Sequence, residues 1–146
     1  VSAFDCLDEL DSNVLRYADN RNILQKELPK IGLKRFAPSD GAFYLYVDVS
    51  DYTNDSFSLC QDLLTDAGLA ITPGTDFDSR NGNYFIRLSF ASSTFNISSA
   101  IKRLDQFLSK KNLAISNFFP PTTAGIFLIF GLIFSYHSYI WTIRRI

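Results

Sequence analysis

The feature that most constrains this chain is an asymmetry along it: everything from Gly125 to Trp141 is apolar or weakly polar, while the preceding segments mix charge with hydrophobicity. An uncharged run of that length is not the patterned surface of a small globular domain, so the chain is expected to divide near Asn117. Phe118-Phe119-Pro120-Pro121 is a natural break, because consecutive prolines remove backbone donors and push the preceding residue towards an extended conformation. The expected organisation is a globular part at 1–113, a linker at 114–121, a C-terminal hydrophobic helix at 122–143 and a basic end at 144–146. About 20 apolar residues suffice to cross a hydrocarbon core. The 122–143 segment reaches that length uncharged, which leaves two readings, a membrane-spanning helix or a buried extension. Lys102, Arg103, Lys110 and Lys111 before it against Arg144 and Arg145 after it mildly favour a cytoplasmic, membrane-anchored globular part.

The rest of the 146 residues is enough for one compact core. A net charge of -1, with acids and bases interspersed, offers no basic stripe for a phosphate backbone and argues against a nucleic-acid partner. Cys6 and Cys60 stand far apart with no histidine near either, which fits a reducing compartment better than zinc or a disulfide framework. Residues 1–5 resemble no signal peptide and lack an initiator Met, so the chain is expected to begin inside a longer protein.

Leu7, Leu10, Val14, Ala18, Leu24 and Leu28 approximate one helical stripe, ended by Pro29 and Gly32. From Ala42 to Val49 the period changes to two, with Phe43, Leu45, Val47 and Val49 on one face of a strand. Asn54, Asp55 and Ser56 supply N-cap chemistry for a second helix with Phe57, Cys60, Leu64 and Ala67 facing inward and Gly68 closing it. Pro73-Gly74 suits a type II turn. Tyr84, Ile86, Leu88 and Phe90 then alternate with Phe85, Arg87 and Ser89 in a further strand whose polar face carries a single arginine. Asn96 is the expected cap of a last helix through Ile97, Ala100, Ile101, Leu104, Phe107 and Leu108. The fold class is therefore α+β, a small sheet of about three strands covered by helices on one face, plus the C-terminal hydrophobic helix.

The segments Tyr17-Ala18-Asp19-Asn20-Arg21, Gly41-Ala42-Phe43-Tyr44-Leu45-Tyr46-Val47-Asp48, Ala70-Ile71-Thr72-Pro73-Gly74-Thr75-Asp76-Phe77-Asp78 and Phe85-Ile86-Arg87-Leu88-Ser89-Phe90-Ala91 follow one another in a recognisable order and spacing. Over roughly residues 4–113 the chain resembles the C-terminal small domain of class I/II, aspartate-aminotransferase-like, pyridoxal-phosphate-dependent enzymes. The resemblance implies a transaminase moving an amino group between an amino acid and a 2-oxo acid, with a large domain completing the fold and a homodimer as the intact form. It implies that Arg87 binds the substrate carboxylate, a task suited to a planar guanidinium with two parallel donors; alternation alone reads Arg87 as a solvated strand arginine. It places Phe43 near the substrate or the cofactor side of the cleft, with ordinary core packing equally open.

Pyridoxal phosphate is implied as the electron sink, held through a lysine of the large domain; that lysine and most phosphate ligands have no counterpart here. No lysine, Lys102 included, is assigned a catalytic role, and the chain by itself is expected to be inactive. Gly41 and Gly74 read as tight-turn devices, since no phosphate-cradling spacing surrounds them. Asp76 and Asp78 read as turn and capping groups rather than a metal pair, Ser99-Ala100-Ile101-Lys102 as a chance S-x-x-K, and His137 has no local partner for a triad or metal. The alternative reading is a non-catalytic, membrane-tethered binding or assembly domain in contact with lipid through 122–143.

Overall fold

The computed structural model describes the backbone of residues 6–118 and the side chains of residues 6–111. The chain divides into two compact units, Val1–Ser109 and Lys110–Ile146. The first carries the sheet and all that follows; of the second, the described residues are the C-terminal stretch of the last helix. In order the elements are α1 (Leu7–Glu27), a 3-10 turn (Leu28–Ile31), β1 (Tyr44–Asp48), α2 (Ser56–Ala67), β2 (Thr72–Pro73), 3-10 turns at Gly74–Asp76 and Gly82–Tyr84, β3 (Phe85–Ser89) and α3 (Thr94–Phe118).

The strands form a three-stranded antiparallel sheet in the order β1-β3-β2, with Tyr46 and Thr72 opposite Arg87 on either side. Alternation divides the sheet as expected. Leu45 and Val47 of β1 and Ile86 and Leu88 of β3 join one buried cluster with Leu24 of α1, Leu59 and Leu63 of α2, and Leu104 and Leu108 of α3. The other face carries Tyr44, Tyr46, Phe85 and Arg87, all only partly buried. The expected α+β class and its helix-covered sheet of three strands are what the structure has.

Several local expectations are corrected. The apolar stripe of α1 is buried only from its middle onward: Leu24 is in the core, whereas Leu7, Leu10 and Val14 are 61%, 46% and 63% exposed. In α2, Asp55 caps as expected, accepting from the N–H of Phe57 and Ser58 at 3.1 Å each, and Gly68 ends the helix in the left-handed region at φ 62°. The buried face is however Ser56, Leu59, Cys60 and Leu63, with Phe57 and Leu64 outside. Both faces carry apolar residues, and the Ser56 hydroxyl settles the rotation by donating to the buried Gly82 carbonyl at 2.8 Å. Ser93, not Asn96, caps α3: its hydroxyl accepts from the Asn96 N–H at 3.2 Å. The helix then runs through 114–118, expected as linker, because the first helix breakers are Pro120-Pro121. Cys6 is exposed and Cys60 buried, and both are free. Among the described residues no helix is long and apolar enough to cross a membrane; the expected hydrophobic helix at 122–143 lies outside the described residues.

Gly74 opens a tight turn as expected, but a 3-10 turn in place of type II, and Gly41 supplies no positive φ. Positive φ among the described glycines belongs to Gly32 and Gly68, while the positive-φ position in the Gly41-Ala42 pair is Ala42, at 60°. A Cβ on Gly41 would meet nothing within 4 Å, but one on Gly74 would lie 2.6 Å from the Gly82 carbonyl oxygen, 2.7 Å from that of Phe85 and 2.7 Å from the Tyr46 hydroxyl. Gly74 is required by close approach of backbones. Gly74→Ala is therefore expected to lower unfolding stability by about 2–3 kcal/mol, since backbone cannot yield as a flexible side chain would; an unchanged urea midpoint would contradict the packing.

Ahead of β1, the chain at Arg35–Ala37 runs antiparallel to it, with an isolated bridge from Phe36 to Val47 and bonds from Ala37 N–H to Tyr46 O and Asp48 N–H to Arg35 O, both 2.9 Å. Sequence patterning missed this short edge. Arg35 secures it, pairing with Asp48 at 2.8 Å and Asp51 at 3.1 Å. The Arg35 bond first, with help from Ser50, holds the Asp48 carboxyl down at about 2. A carboxyl lowered in the folded state contributes stability that is present above its unfolded value, near 4, and lost as pH falls towards 2. Arg35 is half exposed, so solvent limits the contribution to about 1 kcal/mol or less. Asp48→Asn should accordingly lose less stability than the parent between pH 5 and pH 2.5, measured by urea melts at each pH.

Candidate active-site cavity

The turn between β2 and β3 is wound tightly on itself. Phe77 and Asp78 N–H both donate to the Gly74 carbonyl at 2.9 Å, and Gly82 N–H donates to Asp78 O at 3.0 Å. The Asp78 carboxylate accepts from the N–H of Arg80 at 2.8 Å and of Asn81 at 3.1 Å, which hold its pKa below the usual range. Asp78 thus shapes the turn, as its sequence context indicated. The turn carries Phe77 across the partly open face of the sheet.

There Phe77 meets Arg87. The guanidinium carbon lies 4.4 Å from the Phe77 ring centroid and 5.1 Å from that of Tyr44, two residues from Arg87's direct partner in the β1 register. Ring faces attract a cation and leave its N–H edge available. No hydrogen bond or ion pair engages the Arg87 guanidinium among the described residues. It opens instead on a cavity of about 360 Å³, whose walls include Tyr44, Tyr46, Phe77 and, from the chain before β1, Ser39, Gly41 and Ala42. Tyr46 stacks flat on Phe85 at 4.8 Å, and burial first, then the charge of Asp78, raises its hydroxyl's pKa.

Of the two site residues named from sequence, Arg87 lines this cavity and Phe43 does not. Phe43 is 50% exposed, edge-on to Tyr44 at 6.1 Å, while its backbone carbonyl accepts from Phe90 N–H at 2.8 Å. It is not part of the core either. Sequence reasoning missed Tyr44, Phe77 and Ser39. Tyr44 could have been found, since strand alternation puts it on Arg87's face diagonally across the register; Phe77 and Ser39 arrive through loops, where periodicity carries no signal.

Residues 2–104 match the family "Aminotransferase class I and II". The valine–pyruvate aminotransferase of Mycobacterium tuberculosis is 48% identical over 110 residues, 74% of this chain and 28% of that protein. The aspartate/prephenate aminotransferase of Thermus thermophilus is 37% identical over 94 residues, 64% of this chain and 23% of its own length. Among solved structures, an aminotransferase from Mycobacterium tuberculosis superposes with a TM-score of 0.69 at 48% identity, over 70% of this chain and 27% of that one. This chain belongs to the class I and II aminotransferase family, and it spans about a quarter of the length of the relatives it matches. Enzymes of the family depend on pyridoxal phosphate.

The cavity residues do not suit that cofactor's own attachment. No lysine lines the cavity, and one oxygen of the Asp78 carboxylate, Oδ1, takes both backbone donors of its turn. A two-donor cation between aromatic rings suits a carboxylate. Phe77→Ala uncovers one guanidinium face and is expected to weaken carboxylate binding by the chain roughly two- to fivefold, the equivalent of about 0.5–1 kcal/mol; undiminished affinity in an anion titration would show that the ring contributes nothing to the site.

Proposed function

We propose that this chain is the small-domain portion of a pyridoxal-phosphate-dependent transaminase, and that Arg87 receives the carboxylate shared by its amino-acid and 2-oxo-acid substrates. The observation that carries the reading is the placement of Arg87, backed by two rings, with an unengaged N–H edge facing a cavity of substrate size. Family membership supplies the reaction class. The electron sink belongs to the cofactor, whose lysine the family reading assigns to a large domain and to no lysine of this chain. What this chain does is bind and orient one end of the substrate. The Mycobacterium tuberculosis relative is named for valine and pyruvate, both monocarboxylates, and one arginine fork is sufficient for either. The reading of the chain as a membrane-tethered, non-catalytic domain has no support among the described residues.

Replacing Arg87 by lysine keeps the charge and loses the planar fork. In the intact transaminase, Arg87→Lys is expected to cut kcat/KM for an amino-acid donor by tens- to a thousand-fold, roughly 2–4 kcal/mol, with cofactor absorbance and thermal midpoint unchanged. An unchanged kcat/KM would reduce Arg87 to a surface residue, and a collapse of the thermal midpoint would make it structural.

A further inference from the structure

Half of the cavity wall comes from the chain that leaves Arg35–Ala37 and returns as β1, and that chain has little to hold it from within. Its backbone passes through the positive φ of Ala42, a conformation unfavourable for a residue with a Cβ. Between the Ala37 N–H bond to Tyr46 and the Phe43 carbonyl bond from Phe90, the fixed point is Ser39, only 6% exposed. Two side chains one turn apart on α1 hold it. Arg21 Nη1 donates to the Ser39 carbonyl at 3.0 Å, and Gln25 Nε2 donates to the Ser39 hydroxyl at 3.0 Å.

The arginine is poorly served by this arrangement. Its Nε is buried without a hydrogen-bond partner, a cost that a residue selected for stability alone would avoid. Neither Arg21 nor Gln25 lines the cavity, while Ser39, Gly41 and Ala42 all do. The α1 helix is itself anchored close by: the buried Asn20 amide donates to the Phe90 and Ser92 carbonyls at 3.0 and 2.8 Å and accepts from the Thr94 hydroxyl at 2.9 Å. The clamp therefore refers the loop to the same frame that ends β3, the strand bearing Arg87.

We propose that Arg21 and Gln25 are positioning residues for carboxylate binding, holding Ser39 so that the 38–43 loop stands as the wall of the cavity opposite Phe77. The inference rests on the reading of Arg87 as the carboxylate site. Released from α1, the loop samples conformations in which the cavity is open or collapsed, and the bound carboxylate must then restore the order. The loss appears as weaker binding rather than as loss of the fold.

The test uses the full 146-residue chain, labelled with 15N, titrated with sodium pyruvate against a sodium chloride control. The Arg87 Nε–H resonance, identified by its disappearance in Arg87→Lys, reports occupancy, and thermal midpoints are measured alongside. Arg21→Ala and Gln25→Ala are each expected to raise the apparent Kd about three- to tenfold, with the unliganded Arg87 resonance still native in position. Arg21→Lys should recover most of the affinity, because only one guanidinium donor is used and an ammonium can supply it. Saturable binding to the parent chain, with the same Kd in Arg21→Ala and Gln25→Ala, overturns the clamp and leaves the Arg87 site standing. Absence of a saturable shift in the parent chain overturns the Arg87 site and the clamp with it. Should Arg21→Ala fail to fold, Gln25→Ala, which loses one uncharged donor, decides by the same criterion.

Discussion

The contact between Gly74 and Gly82 sets most of what surrounds it. Cβ atoms at either position would fall 2.5–2.6 Å from the other's backbone, so two stretches of main chain meet at a separation that no other residue permits. Ser56 secures the Gly82 side from the start of α2, and the Tyr46 hydroxyl faces the Gly74 side from β1. Held between a helix N-terminus and a strand, the turn has little freedom, and the direction in which it sends Phe77 is determined by packing rather than by the preference of Phe77 itself. The backing of Arg87 is therefore a consequence of two absent side chains some distance along the chain.

The two faces of the sheet divide the work. One face is sealed by leucines from three helices, and burial of such side chains, worth roughly 2 kcal/mol each, supplies the main cohesion. The other is relieved of that duty and carries tyrosines, a phenylalanine and an arginine in a partly open arrangement. A guanidinium without a carboxylate partner would be a poor element of a core, but on the second face its desolvation is partial and the rings offset some of it. Arg35 illustrates the contrast: with Asp48 and Asp51 against it, its donors are spent on fastening an edge.

What the sequence disclosed follows from which signals are local. Alternation located β1 and β3 and the side of the sheet on which Arg87 lies, and Asp55 and Gly68 marked the ends of α2, because strand period and caps are properties of a few adjacent residues. The rotation of α2 was not legible. Phe57, Cys60 and Leu64 make as good a stripe as Leu59, Cys60 and Leu63 until the Ser56 hydroxyl finds Gly82, 26 residues away. The same holds at the site: Arg87 could be named from its strand and its resemblance, but Phe77 and Ser39 reach it by loops fixed through Gly74 and through Arg21, contacts that no spacing rule contains. Phe43 shows the converse error, since alternation placed it with Leu45 and Val47 although the strand begins only at Tyr44.

The first half of α1 gives this lesson a physical form. A helix of 21 residues extends about 30 Å, longer than the small sheet it packs on. Its apolar stripe runs approximately from Leu7 to Leu28, with a gap at Arg21-Asn22, yet the core receives only the later part, and Leu7, Leu10, Val14 and Leu15 project from it. A hydrophobic stripe records that a face is apolar, not which body lies against it. The changeover falls between Leu15 and Asn20: up to Leu15 the apolar residues stand exposed, Tyr17 already packs on the core, and at Asn20 the helix is bonded to the end of β3. The Arg21–Gln25 pair stands at the start of the packed half, where the helix is held firmly enough to serve as a reference for a loop.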